Sequence, residues 1–481
     1  MSILDSDSLV LFLMIVGFLQ LALLLQLAPQ VSRLFLNETH HGYGQVTRSS
    51  RVFLTPAGLV LGTCSWIGAS LALVAGLHLI VSSLILFLIS QYVFIRQRWV
   101  NLSRGCGAPG FTSYWLSVTA FILSVGEQIG PYALNAGISL ATLDFALIFL
   151  TAGVYKFASG YTRGSGVYRG LVNPAWSYAP HFWSRRAKWR GLYKALDTYG
   201  WVGEIAGAIL VLIPVTRSLG ALIIASMFIA LIPLIRLGTL TVVVLSMCLL
   251  VILGSSDPIA VLVKNAPQVP GVTISSAPMN ATELVFVLVL VAVAGCLLLS
   301  NIGMVLNLYA GWKPPGLIQR TLDSLSSILG TSLWRVFTSD VTEFYVQIWD
   351  VSLVDHKERE ISRWGGMGYS RFKDVTEAIT VTSIFTARRY FPYDLSIFEG
   401  RLLRYAGSIP RACRRSRLEF RYIQIMADSD LVSYSNPVSF SIGQDSQSVV
   451  THIHTSDTTT TPAQYSAVRP AIRPGTYRQH E

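Results

Sequence analysis

Apolar positions along the first two thirds of the chain fall in long runs without alternation, and polar residues gather in short clusters between them. A run of about 20 apolar residues spans a hydrocarbon core as a helix, because backbone groups in lipid must bond within their own segment. The runs and their breaker residues predict about nine spans, centred on 9–28, 57–75, 78–95, 111–126, 138–157, 200–214, 218–235, 238–254 and 283–308. The joints near Gly76 and across 236–238 are tight. The first run has no basic leader and no small-residue cleavage site behind it, so it reads as a retained span.

Beyond the last run the period changes. Leu317, Leu322, Leu325, Ile328 and Leu333 follow Pro314 and Pro315 at helical spacing, which predicts a helix lying along the interface over 312–333. EFYVQIWDVSLV (343–354), AITVTSIFTA (378–387) and RLEFRYIQIMA (417–427) alternate as half-buried strands do, and FEGRLLRYA (398–406) has a helical period. From about Thr451 the chain is rich in Thr, Ser, Pro and Gln and poor in large aliphatics, a composition that cannot bury enough surface to order itself. The predicted fold is an all-α polytopic membrane helix bundle with a small C-terminal α+β cytoplasmic module. It divides into a first span and basic loop (1–56), a transmembrane core (57–311), an interfacial helix with the α+β module (312–450) and a disordered tail (451–481).

Composition agrees with this reading, with 52% hydrophobic and 13% charged residues and a mean hydropathy of +0.51. Charge then orients the bundle. One set of loops carries Arg33, Arg48, Arg51, Arg96, Arg98, Arg104, the basic run from Arg163 to Lys194, and Arg236. The other carries little beyond Arg217 and Lys264. The bias predicts an extracytoplasmic N-terminus and a cytoplasmic C-terminus. The net charge of +11 then reflects a basic face toward anionic lipid head groups, and the expected partners are the bilayer and those head groups, not nucleic acid. The loop between Gly160 and Tyr199, with its arginines, lysines and tryptophans, is expected to rest on that surface, charges outward. Of the two glycosylation sequons, the one at Asn37 falls inside and the one at Asn280 outside, close to a span. The five cysteines form no CxxC pair and the histidines are scattered, so neither a dithiol centre nor a metal site is expected; Walker and GxSxG motifs are absent.

Two short motifs carry the candidate chemistry. AGVYK (152–156) places Lys156 near the end of a span, and VTRSLG (215–220) follows the next one. A cation at bilayer depth costs about 2.5 kcal/mol or more, so a retained lysine has a partner, a use, or a path to the head groups by snorkelling. Glu204 and Arg217 bracket the sixth span and read as anchors of its ends, and Asp144 reads as a helix-terminus residue. Tyr155, Trp176, Trp183, Trp189 and Trp201 fit an interfacial belt or, together, the lining of a site for a flat lipophilic ligand.

From about Cys64 to Leu253 the order of motifs resembles the core of the vitamin K-dependent gamma-carboxylase family and its bacterial relatives, the HTTM proteins. YVFI (92–95) closes a paired span, AGVYKF precedes an aromatic and basic loop, EIAGAILVLIPVTRSLG (204–220) follows, and Arg236-Leu237-Gly238 separates the last pair. WRVFTSDV (334–341) and FEGRLLRYA are similar to the C-terminal part of bacterial members. The resemblance implies that Lys156 is the base that activates a quinone-like molecule, since burial favours the neutral form of an amine. Tyr155, Glu204, Arg217 and Arg236 are then the candidate substrate-binding residues. Tyr155 stands where the carboxylases carry the lysine that precedes the base, and GAPGFTSYW (107–115) and IIASMFIALIP (223–233) lack the family's histidines. The large luminal domain of the carboxylases is missing as well. These departures speak against glutamate carboxylation. Three classes of function remain: an enzyme acting on a quinone-like molecule or a membrane-delivered peptide, a maturation or export partner for a secreted peptide, and a transporter. A bacterial cytoplasmic membrane is the expected location, with the endoplasmic reticulum as the eukaryotic counterpart.

Overall fold

The computed structural model of the chain describes residues 6–28, 55–93, 109–158, 161, 166–265, 279–312, 315–318, 320–321, 342–362, 375–390, 395–409, 415–426, 432–443 and 448–454. All nine predicted spans fall on helices: α1 (Ser6–Leu27), α2 (Pro56–Val74), α3 (Leu79–Ser90), α4 (Pro109–Ile129), α5 (Pro131–Ala158), and, after the short α6 (Gly166–Val172) and α7 (Pro180–Ser184), α8 (Arg190–Leu212), α9 (Arg217–Leu231), α10 (Leu240–Leu253) and, past α11 (Pro258–Asn265), α12 (Ala281–Ala310). Five of them, α1, α2, α5, α8 and α12, are long and apolar enough to cross a membrane, and α3, α9 and α10 are shorter apolar helices.

The bundle is held by tight approach and by a few buried polar contacts. Lipid tails are as apolar as leucine, so helices in a bilayer associate through small residues and interhelical hydrogen bonds. A Cβ on Gly220 of α9 would lie 2.5 Å from the Gly207 carbonyl oxygen of α8, so only glycine permits that crossing. Between α1, α2 and α4 the Gln20 amide donates to the Ser113 carbonyl (3.1 Å) and Ser117 Oγ (2.8 Å), while Trp66 Nε1 donates to Gln20 Oε1 (3.1 Å). The joint near Gly76 is as tight as expected, turning through left-handed conformations at Gly76 (φ +68°) and His78 (φ +47°). Most of α10 is buried, against α9, α1, α4 and α5, whereas α12 packs mainly against α5 among the described residues and stays largely exposed.

The C-terminal module is a five-stranded antiparallel sheet in the order β2-β1-β3-β4-β5, formed by β1 (Phe344–Ser352), β2 (Glu358–Glu360), β3 (Ser416–Met426), β4 (Ser433–Ile442) and β5 (Val450–Ile453). Two helices, α13 (Val375–Tyr390) and α14 (Leu395–Gly407), accompany it. The strands expected over 343–354 and 417–427 and the helix over 398–406 are present as β1, β3 and α14. The strand expected over 378–387 is instead the middle of α13. There Ala378, Ile379, Val381, Ile384 and Phe385 are all buried, and Phe385 meets Phe398 and Phe440 with ring centroids 5.2 and 5.6 Å apart. The interfacial helix expected over 312–333 and the tail from 455 lie largely outside the described residues, while β5 occupies the stretch where the tail was expected to begin.

This module docks on the segment between α5 and α8. Asn173 Nδ2 donates to the carbonyls of Thr342 (3.1 Å) and Phe344 (2.8 Å), the Tyr434 hydroxyl donates to the Val172 carbonyl (2.9 Å), and Arg169 pairs with Glu343. The expectation that this loop turns its charges outward onto lipid therefore fails for its first half, where α6 is almost wholly buried. In the second half Arg185, Lys188, Arg190 and Lys194 are exposed beside exposed Phe182, Trp189 and Leu192.

Candidate functional site

Lys156 lies in the last turn of α5, and its position is set one turn earlier by Gly153. A Cβ at Gly153 would come within 2.6 Å of Ile205 Cγ1 and 3.0 Å of the Trp201 carbonyl oxygen, so the missing side chain lets α8 close on α5. That approach brings Lys156 Nζ to 2.5 Å from Glu204 Oε1. Lys156 is only 6% exposed and Glu204 4%. The lysine thus turns inward onto a carboxylate of the neighbouring helix, and the snorkelling expectation is overturned. Glu204 does not anchor a helix end either, because α8 begins at Arg190 and places Glu204 on the buried face of its second half. Its other oxygen, Oε2, is buried without a hydrogen-bond partner among the described residues.

Two residues that the sequence did not single out complete the surroundings. The Tyr161 ring lies 5.5 Å from Lys156 Nζ and is itself buried. Gly166 makes room for it, since a Cβ there would strike the ring. Two turns before Glu204 on α8, the fully buried Asp197 accepts from the backbone N–H of Gly166 (3.1 Å) and of Val167 (2.6 Å), capping α6. Burial, and then the negative fields of Asp197 and Glu204, hold the Tyr161 hydroxyl well above its ordinary range, so it stays a neutral phenol. The arrangement is a buried amine on the Glu204 carboxylate, with the buried Tyr161 ring beside it and the Asp197 carboxylate within electrostatic reach.

The other candidates separate. Tyr155 is buried on α5 immediately before Lys156. Arg217 opens α9 and donates through Nε to the Val211 carbonyl (3.2 Å), so it closes the C-terminal end of α8, as expected of an anchor. Arg236 is a clamp for the loop that follows α6: Nη1 donates to the Pro174 carbonyl (2.9 Å) and its backbone N–H to that of Trp176 (2.7 Å). Trp176 is buried and not a belt residue, whereas Trp189 is 38% exposed. Asp144 is no helix-terminus residue. It sits in the middle of α5, buried, where its Oδ2 accepts from Trp115 Nε1 at 2.8 Å. Asp257, also not singled out, caps two helices at once, accepting from the backbone N–H of Ala260 in α11 (2.9 Å) and of Ser218 in α9 (2.7 Å). The sequence carried a signal for it, since Asp257 precedes Pro258 in the order of an N-cap before a first-turn proline.

No family model, no curated protein and no solved structure matches the chain.

Proposed function

We propose that the chain is a multi-pass membrane enzyme on an HTTM/gamma-carboxylase-like scaffold, in which Lys156 and Glu204 form a proton-handling pair that acts on a lipophilic, quinone-like molecule. The observation that carries this reading is the inward turn of the amine onto Glu204, whose second oxygen has no hydrogen-bond partner among the described residues. A lysine at the end of a span reaches head groups at little cost, whereas taking two charges out of water costs several kcal/mol per ion before their attraction offsets it. An arrangement that gives up the cheaper option fits a working site. In the chemistry proposed, the Lys156 ammonium passes a proton to Glu204, and the freed amine takes one from an acidic hydroxyl of the substrate; the substrate becomes an oxyanion and its proton ends on the pair.

In the membrane this reading has about nine spans, with the N-terminus outside and the C-terminal module on the cytoplasmic side. The test is substitution of Lys156 in the full chain, scored by any phenotype that depends on the gene. Lys156→Met should lower activity by about 100-fold or more, the range for a lost acid–base group, and Lys156→Arg should fail as well, because a guanidinium stays protonated. A fully active Lys156→Arg variant would leave the maturation or export role for a secreted peptide ahead, with the pair as a fastening between α5 and α8.

A further inference from the structure

We propose that Asp144 is a proton-exchange site within the bilayer, taking up and releasing a proton through a water held in the cavity between α4, α5 and α12. This does not rest on the Lys156–Glu204 reading. Asp144 is the middle residue of α5, about 20 Å of helix from either end at 1.5 Å per residue. An isolated carboxylate at that depth costs several kcal/mol, so it must find a cation, a proton or donors. Among the described residues it forms no ion pair, and its one hydrogen bond, from Trp115 Nε1 to Oδ2, leaves Oδ1 unused.

The cavity supplies what the side chains do not. It measures about 20 Å³ and is lined by Asp144, Trp115 and Thr119 on its polar side and by Ile122, Val293 and Leu297 on its apolar side. About 10–15 Å³ of such space holds a water, provided polar partners are present, so there is room for one beside the carboxyl. No other lining residue titrates. The charged groups on the packed elements stand outside the lining: Glu127 on α4, Lys156 on α5, Arg190, Lys194, Asp197 and Glu204 on α8, and Glu283 on α12. The wall on the far side is α12, the least buried of the five long apolar helices, so the cavity lies one loosely packed helix from the lipid.

Infrared difference spectra of the full chain in liposomes, recorded between acid and alkaline pH, test the proposal. They should contain a carboxylic C=O band that disappears in Asp144→Asn and shifts in frequency in Trp115→Phe, which alters the hydrogen bonding of the carboxyl and keeps its charge. Dicyclohexylcarbodiimide, which enters from lipid and adds to protonated carboxyls, should label Asp144 and do so less as pH rises. A spectrum indifferent to Asp144→Asn, or labelling that appears only after denaturation, would overturn the proposal and leave Asp144 as a fixed partner of Trp115.

Discussion

At the scale of single residues, the region around Lys156 depends on groups that hold backbone and charge in place. Asp197 satisfies two N–H groups at the start of α6, and Asp197→Ala should cost about 1–3 kcal/mol, read as a lower thermal midpoint in detergent, with Asp197→Asn recovering part of the loss. An unchanged midpoint would mean that α6 does not need its cap. Asp257 gives a pH signature. Burial raises its pKa, but the N–H groups of Ala260 and Ser218 and the Ser255 hydroxyl outweigh that and set it below its ordinary 3.8. A depressed carboxyl stabilises the fold fully above the unfolded value and loses that contribution as pH falls through the folded one. The stability gap between the native chain and Asp257→Asn should therefore be widest near neutrality and shrink below about pH 4. A gap that widens with acid would have the sign wrong.

At the scale of elements, hydropathy located every predicted span on a helix, because burial in lipid or bundle demands a continuous apolar run whichever neighbour it meets. It could not decide 378–387, where threonines alternate with aliphatics. A helix buried on all sides tolerates that pattern because the threonines bond back to the preceding turn, as Thr386 Oγ1 does to the Thr382 carbonyl at 2.7 Å. β4 was not predicted: Val438, Phe440 and Ile442 alternate with serines, but the run is short and follows Pro437, and its Ser439 and Ser441 hydroxyls meet His454 and His452 Nε2 at 2.8 Å. Of the site, Lys156 was legible as a costly cation, but its partner 48 positions away was not, because that contact is made by the crossing of α5 and α8. The docking of the module was equally hidden. Asn173→Ala would remove the amide that donates to the Thr342 and Phe344 carbonyls, at about 1–3 kcal/mol, and should loosen the module from α6. Limited proteolysis between α12 and β1 should then speed up; an unchanged cleavage rate would assign the docking to the other contacts.

At the scale of the whole molecule, the account joins an apolar bundle to a sheet module through α6, with the buried pair where α5 and α8 cross beside that junction. On the topology proposed from the arginine asymmetry, reporters fused after Gln268 and after Gln444 should report opposite faces. Two reporters on one face would change the number of spans by one.

The central claim is that the Lys156–Glu204 pair works and does not merely fasten. A charge exchange separates the two most directly, because Lys156→Glu combined with Glu204→Lys keeps an ion pair between α5 and α8 while moving the amine to the other helix. The account predicts that the double variant regains the thermal stability lost in either single variant but none of the gene-dependent activity. Recovery of both together would contradict it.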